Sequence, residues 1–253
     1  MTKNSYLEIF RKLNITEKDF YQACNDEIIW PEGEIVKKLW KNHLVSINNH
    51  EPVVIRSVGR LGSKSKILKD FIEKVYNINI KFDQTNNAEP TKIIKITTGL
   101  TKCSNSVKGD LANYQVAHVF EERTSNPYLF SAPWMTCYVP RIIDPFTGHE
   151  YVGGKTFYTQ YFMPIVFKKW GNYIDEYNEI IMEKTSNKFS EEIDAIEDAR
   201  LKRNIIVTFS PLYEEIEVHP FKKDICRMLY EAKWWNMNSS EFANCKSYIL
   251  SLF

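Results

Sequence analysis

Glycine is scarce in this sequence, and closely spaced cysteines are lacking. Nine glycines occur among 253 residues, which indicates rather stiff loops. The five cysteines are widely spaced and include no C-x-x-C pair, so neither a zinc knuckle nor a disulfide framework is expected. We therefore expect five reduced thiols in an intracellular protein.

Long apolar runs and an excess of one charge are lacking as well. No window approaches the ~18 uninterrupted apolar residues that a membrane-spanning helix needs. The first ten residues include Lys3 and Glu8 and no apolar run of signal-peptide length. We therefore expect a cytoplasmic protein with no membrane partner. The net charge of +1 means that any basic surface must be local.

The composition is that of an ordinary folded protein. Apolar residues make up 43% of the chain and aromatic residues 14%, so large rings should fill the core. We expect an α+β fold, with helices and short strands mixed in one domain. The patterns favour an N-terminal α/β region over 1–110, a segment of chemical interest over 111–152 and a mainly helical region over 153–253. The three could also form one compact domain.

Local patterns predict individual elements. Thr16 followed by Asp19 is typical of a helix start, and Val53 to Ile55 is typical of a short strand. Further strands are predicted around Ile80 and over 113–120, and a short helix over 90–99. Towards the C-terminus we expect an amphipathic helix over 190–203, a strand over 205–209 and a helix over 219–235.

One segment near the first predicted strand is strongly basic. No acidic residue occurs between Pro52 and Lys69. Two glycines and the start of a helix accompany the cations, a combination suited to a phosphate or a nucleic-acid backbone. The alternative is a solvated loop that leads into a helix with a basic outer face. The predicted substrate-binding residues are Arg56, Arg60, Lys64, Lys66 and Lys69.

A histidine at the end of a predicted strand begins the second segment of interest. The run Tyr114-Gln-Val-Ala-His118 is followed by Arg123 and then by Asn126-Pro127-Tyr-Leu. Over residues 113–150 the chain resembles the HNH, or His-Me finger, endonucleases. In that family a histidine that ends a strand precedes an Asn-Pro element and a later metal-binding residue. The resemblance implies an embedded ββα-metal-like site.

The resemblance also implies a role for each of three residues. His118 takes the place of the general base that activates water, and a neutral imidazole suits that task near pH 7. Arg123 takes the place of a clamp on the phosphate. Asn126 takes the place of the residue that organises the loop around the base.

The metal ligands that the resemblance implies are less well matched. The family uses a divalent ion, so Mg²⁺ or Mn²⁺ is the expected cofactor, and Asp144 or His149 could supply ligands. Members with one ligand use an asparagine in the window where Met135 stands here. Many members have an acidic ligand just before the base, where this chain has Ala117. A thioether is a poor ligand for a hard cation.

We therefore expect a metal-dependent endonuclease of restriction or homing type that acts on double-stranded DNA. A homodimer fits a symmetric DNA site. One alternative is a PD-(D/E)xK nuclease built on Asp224, Glu231 and Lys233. Another is a nucleic-acid-binding protein without catalysis, which would use exposed aromatic residues such as Trp134 and Tyr138.

Overall fold

Helices dominate the computed structural model, which describes residues 5–58, 62–103, 108–143, 146 and 157–253. The N-terminal part of the chain contains α1 (Ser5–Leu13), α2 (Glu17–Asp26), α3 (Gly33–Asn48), β1 (Val53–Ile55), α4 (Ser63–Tyr76), β2 (Ile80–Phe82), α5 (Ala88–Thr98), β3 (Tyr114–His118) and β4 (Thr136–Pro140). The C-terminal part contains α6 (Met163–Lys184), α7 (Asn187–Asp194), α8 (Ala199–Phe209), α9 (Glu214–Glu217), α10 (Lys222–Glu231) and α11 (Ser239–Leu250). The fold is α+β, as predicted.

The four strands form two separate pairs. β1 and β2 are parallel, with Val53 opposite Ile80, and α4 makes the crossover between them. β3 and β4 are antiparallel, with Tyr114 opposite Pro140 and His118 opposite Thr136. The carboxyl ends of β1 and β2 lie at one edge of their sheet because parallel strands run in the same direction.

Several predicted element ends are confirmed by their local chemistry. The Thr16 hydroxyl accepts a hydrogen bond from the Asp19 amide at 3.1 Å, and the Asp19 carboxylate accepts one from the Thr16 amide at 3.1 Å. This reciprocal capping box fixes the start of α2. Gly99 follows α5 with a φ of +68°, a left-handed conformation that glycine adopts without strain.

A single hydrophobic cluster runs through all three regions that the sequence suggested. Its buried members include Phe10 from α1, Trp134 from the loop before β4 and Phe209 from α8. Trp40 of α3 meets Trp134 edge to face, with ring centroids 5.6 Å apart. Among the described helices, none is both long and apolar enough to cross a bilayer.

The predictions for residues 190–209 were wrong. Instead of one helix and a strand, the chain forms α7, a short break and α8. Asp198 ends the break and caps α8 by accepting a hydrogen bond from the Leu201 amide at 2.8 Å. Residues 205–209 are all buried, and the periodicity of such a run cannot separate a buried helix from a strand. The helix predicted over 219–235 is shorter and corresponds to α10.

Candidate functional site

The β3–β4 hairpin places His118 beside a second polar side chain. His118 ends β3 and lies opposite Thr136, the first residue of β4. Opposite residues of an antiparallel pair project to the same face, so the imidazole and the hydroxyl are neighbours. His118 Nε2 and Thr136 Oγ1 are both buried and have no hydrogen-bond partner among the residues that the structure describes. Buried polar atoms without partners are uncommon in folded proteins, so this face of the hairpin is a candidate functional site.

The environment of His118 keeps its imidazole neutral. The ring stacks on Phe130, with centroids 5.5 Å apart and planes 18° from parallel. Burial and, to a smaller extent, the positive charge of Arg56 lower the pKa of His118 to about 4, while the negative charge of Asp83 opposes them. At pH 7 one ring nitrogen can therefore accept a hydrogen bond or a proton, while the other donates its N–H.

Arg56 and Asp83 reach His118 from the parallel sheet. Arg56 follows β1 and Asp83 follows β2, so both leave the same edge. The Asp83 carboxylate accepts hydrogen bonds from the Ala88 amide at 3.1 Å and the Glu89 amide at 2.7 Å, at the start of α5. The backbone amide of Arg56 donates to the Thr124 carbonyl oxygen at 3.0 Å. The Asp83 carboxylate is thus occupied by hydrogen bonds from the first residues of α5. The Arg56 guanidinium, in contrast, makes no ion pair within the described ranges.

Arg123 lies in the core and does not face a ligand. Its side chain has no exposed surface, its Nη1 donates to the Ser210 carbonyl oxygen at 2.9 Å, and its Nη2 forms an ion pair with Glu217. Burial opposes ionisation of Glu217, but Arg123 and Lys222 outweigh it and hold the Glu217 pKa below its ordinary value. The expectation that Arg123 clamps a phosphate is therefore corrected: the residue fastens the loop after β3 to the C-terminal helices.

Asn126 is also buried, and each end of its amide is used. Its Nδ2 donates to the Tyr177 hydroxyl and to the Thr208 carbonyl oxygen, both at 2.9 Å. Its Oδ1 accepts from the Tyr128 amide at 2.9 Å. Asn126 is therefore held by protein groups at both ends of its amide, and it stabilises the loop that follows β3.

A cleft of about 510 Å³ opens beside Arg56 and is called the Arg56 cleft here. Three cationic side chains from distant parts of the chain line it: Arg56 after β1, Arg200 on α8 and Lys223 on α10. Lys223 pairs with Glu122 at 3.2 Å. The sequence did not predict Arg200 or Lys223 as site residues. Each stands on a helix whose pattern of apolar residues indicates only that these side chains lie away from the core. The remaining lining residues are Ser57, Val58, Glu121, Glu122, Thr124, Ser125, Asn204, Val207 and Thr208.

The basic segment contributes less to this cleft than predicted. Lys64 lines a smaller neighbouring cavity of about 240 Å³ and pairs with Asp198 at 2.6 Å. Lys69 pairs with Glu73 at 3.5 Å, one turn along α4, and Lys66 is exposed on the same helix. Arg60 lies outside the described residues. Of the four predicted cations that the structure describes, only Arg56 is placed both at the cleft and near His118.

The predicted metal ligands are not brought together by the described part of the chain. Met135 is fully buried in the hydrophobic cluster, and its thioether does not suit Mg²⁺ or Mn²⁺. Asp144 and His149 lie outside the described residues. Within those residues no group of three or more His, Cys, Asp or Glu side chains could hold an ion. The described surroundings of His118 therefore supply no complete set of ligands for a divalent cation.

Asp224 and Glu231 of the first alternative lie on a helix, as predicted, whereas Trp134 and Tyr138 of the second are not exposed as expected. Asp224 and Glu231 lie at the two ends of α10, where each approaches Arg227 at 3.6 and 3.9 Å. They do not stand on adjacent strands, as PD-(D/E)xK chemistry requires. Trp134 and Tyr138 are buried, so the prediction that they are exposed for stacking was wrong.

Comparisons with known proteins place the chain in a family. A family model described as "Uncharacterised protein PM1201" matches residues 31–233, which include β1, the β3–β4 hairpin and α8. The "Uncharacterized protein PM1201" of Pasteurella multocida (strain Pm70) is 34% identical over 220 residues, or 85% of this chain and 95% of that protein. No solved structure matches the chain significantly. The chain belongs to the PM1201 family.

Proposed function

We propose that this protein is a nucleic-acid endonuclease of restriction or homing type in which His118 is the general base. The observation that carries the proposal is the state of His118. Its imidazole is neutral, its Nε2 has no partner within the described residues, and it ends a strand of an antiparallel hairpin. This arrangement supports the base role that the resemblance to His-Me finger nucleases assigns to it.

In this proposal His118 accepts a proton from the attacking water. The imidazole accepts a proton from water at Nε2 as the water oxygen attacks phosphorus, and the bridging P–O bond breaks as the leaving oxygen takes up a proton from solvent. Phe130 stacks on the ring and holds its orientation. Thr136, on the same face of the hairpin, offers a hydroxyl that can hydrogen-bond the same water. A rigid strand end is a better platform for such a group than a loop.

Arg56 supports the proposal from the substrate side. It lines the Arg56 cleft and also lies close enough to His118 to lower its pKa. A phosphate held by the Arg56 guanidinium would therefore stand near the base, and its charge would be partly neutralised. Arg200 and Lys223 place two more cations on the same cleft.

The remaining features of the proposal are predictions. These are double-stranded DNA as the substrate, dependence on Mg²⁺ or Mn²⁺, a homodimer, and a cytoplasmic location. Asp144 and His149 stay the candidate metal ligands, and no step of the mechanism above is assigned to a metal. A metal would stabilise charge on the phosphate and the leaving oxygen.

A second candidate is a nucleic-acid-binding protein without catalysis. The observation that favours it is the enclosed position of His118 Nε2, together with a cleft lined by three cations. Binding without cleavage is its signature, whereas the first proposal requires strand scission.

A plasmid assay tests the proposal directly. Supercoiled plasmid is incubated with the protein in Mg²⁺, in Mn²⁺ and in EDTA, and nicked or linear products are measured. We expect divalent-dependent cleavage that His118→Ala abolishes. Binding of the plasmid without cleavage in either metal would favour the second candidate.

A further inference from the structure

A second depression lies next to the Arg56 cleft, between α8 and α10. It has a volume of about 710 Å³ and is called the α8–α10 groove here. The Arg56 cleft and this groove share three lining residues, Arg200, Asn204 and Lys223. The two depressions are therefore adjacent, and one extended ligand can contact both.

The groove carries an excess of positive charge. Five cations line it, against two carboxylates, Asp194 and Glu231. Lys202 pairs with Asp194 at 2.7 Å, and Arg227 approaches Glu231 at 3.9 Å. Arg200 and Arg203 are exposed and have no carboxylate partner within the ranges that the structure describes. Their charge is thus left for a ligand.

The two unpaired arginines also have a suitable spacing. Arg200 and Arg203 stand three residues apart on α8, so their side chains emerge from one face about 5–6 Å apart at Cβ. The planar guanidinium group binds phosphate oxygens in pairs, which a lysine cannot do. Tyr230 and Ile206 line the same groove and offer flat and apolar surface between the charges. The regularly spaced phosphates of a nucleic-acid backbone match this combination.

We propose that the α8–α10 groove binds a stretch of phosphodiester backbone next to the phosphate held in the Arg56 cleft. This inference rests on the proposed function, because the same DNA would occupy both sites. It names residues that neither the motif nor the family comparison points to: Arg203 and Arg227 lie in the groove but not in the Arg56 cleft. The groove would extend the footprint of the protein on DNA beyond the cleavage site.

The test is a binding titration in EDTA, where cleavage is suppressed. Fluorescent duplex and single-stranded oligonucleotides of equal length are titrated at several salt concentrations with the wild type and with Arg203→Ala/Arg227→Ala. The matched control is Lys37→Ala/Lys38→Ala, which removes from α3 two exposed cations that form no ion pair with any residue the structure describes. Melting curves are recorded for each variant. Arg227 is exposed and its ion pairs are long, so its loss should leave the fold intact.

We expect the groove variant to weaken binding and to reduce the slope of log K against log salt by about two units on duplex DNA, roughly one unit for each phosphate that the variant no longer binds. The control should retain the wild-type slope. The oligonucleotide whose slope falls further identifies the form of nucleic acid in the groove. Equal slopes for the groove variant and the control would overturn the inference, and so would an absence of DNA binding by the wild type.

A labelled polyglutamate peptide separates DNA from an acidic protein segment as the ligand. If the groove variant loses polyglutamate binding while its DNA binding matches the control, the groove is a protein-docking site and the inference is overturned. Cleavage is measured separately in Mg²⁺. A protein that binds through the groove but never cuts would contradict the proposed function and leave the groove assignment standing.

Discussion

Arg123 in the loop after β3 and Glu217 at the end of α9 form an ion pair in which both side chains are fully buried. The pair joins the loop of the hairpin that carries His118 to α9, and Arg123 also donates to the carbonyl oxygen of Ser210, the residue that follows α8. Lys222 extends the connection, since it pairs with Glu217 at 3.2 Å and with Glu122 at 2.8 Å. The relative position of the base and the basic cleft therefore depends on this network.

Removing one partner of the pair should be costly. Glu217→Gln leaves the buried Arg123 charge uncompensated, so we expect a loss of about 3–5 kcal/mol in the free energy of unfolding, measured by urea denaturation. The control is Glu8→Gln, which breaks an exposed pair with Arg11 and should cost less than about 1 kcal/mol. Similar losses in the two variants would contradict the role assigned to the buried pair.

Met135→Asn tests whether position 135 belongs to the core or to a metal site. Met135 has no exposed surface, so an asparagine there should lower stability by roughly 1–3 kcal/mol because its amide lacks buried partners. Met135→Leu keeps the volume and should cost less than about 1.5 kcal/mol. Melting temperatures are measured with and without Mg²⁺. A rise in the melting temperature of the Asn variant on addition of Mg²⁺ would show instead that position 135 faces a metal site.

The lowered pKa of His118 predicts a dependence of stability on pH. The folded-state pKa of about 4 lies below the ordinary value of 6.5, so the unfolded chain binds this proton first as the pH falls. The contribution of neutral His118 to the free energy of unfolding is therefore complete above about pH 6.5 and is lost progressively as the pH falls towards 4. His118→Asn should show a shallower loss of unfolding free energy across that window. His43, also buried with a pKa lowered to about 4, is present in both proteins and cancels. Identical slopes would place the His118 pKa at its ordinary value.

Arg56→Gln separates the two causes of that lowered pKa. Burial remains in the variant, but the nearby positive charge is gone, so the His118 pKa measured by NMR titration should rise part of the way towards 6.5. Lys64→Gln is the control, because Lys64 is paired with Asp198 and is not a cause of the shift. DNA affinity should fall in Arg56→Gln at the same time. An unchanged His118 pKa would mean that Arg56 lies too far from the base to hold its phosphate.

Short-range signals in the sequence predicted much of the fold. The Thr16–Asp19 capping box, the strands at β1 and β3 and the turn at Gly99 each depend on neighbours a few residues apart. The role of Arg123 could not be predicted in this way. Its partner Glu217 is 94 residues distant. The sequence around an arginine near a motif histidine is the same whether that arginine binds a phosphate or a buried carboxylate.

The candidate site was predicted only in part, for the same reason. His118 was predicted because it ends a strand with a recognisable pattern, and Arg56 because it lies in a segment without acidic residues. Arg200 and Lys223 join them through tertiary contacts between α8, α10 and the loop after β3, and their spacing along the chain does not reveal those contacts. Trp134 was predicted to be exposed, but it is fully buried and its ring packs against that of Trp40, more than 90 residues earlier in the chain.

The most direct test of the role of His118 is single-turnover cleavage by His118→Ala, measured beside a melting curve and a DNA titration on the same preparation. A general base contributes roughly 10²–10⁴-fold, so we predict a rate loss of that size with the melting temperature and DNA affinity nearly unchanged. A histidine that serves only the fold would behave differently, because its removal would lower stability, binding and cleavage together. Cleavage at the wild-type rate by folded His118→Ala would contradict the account.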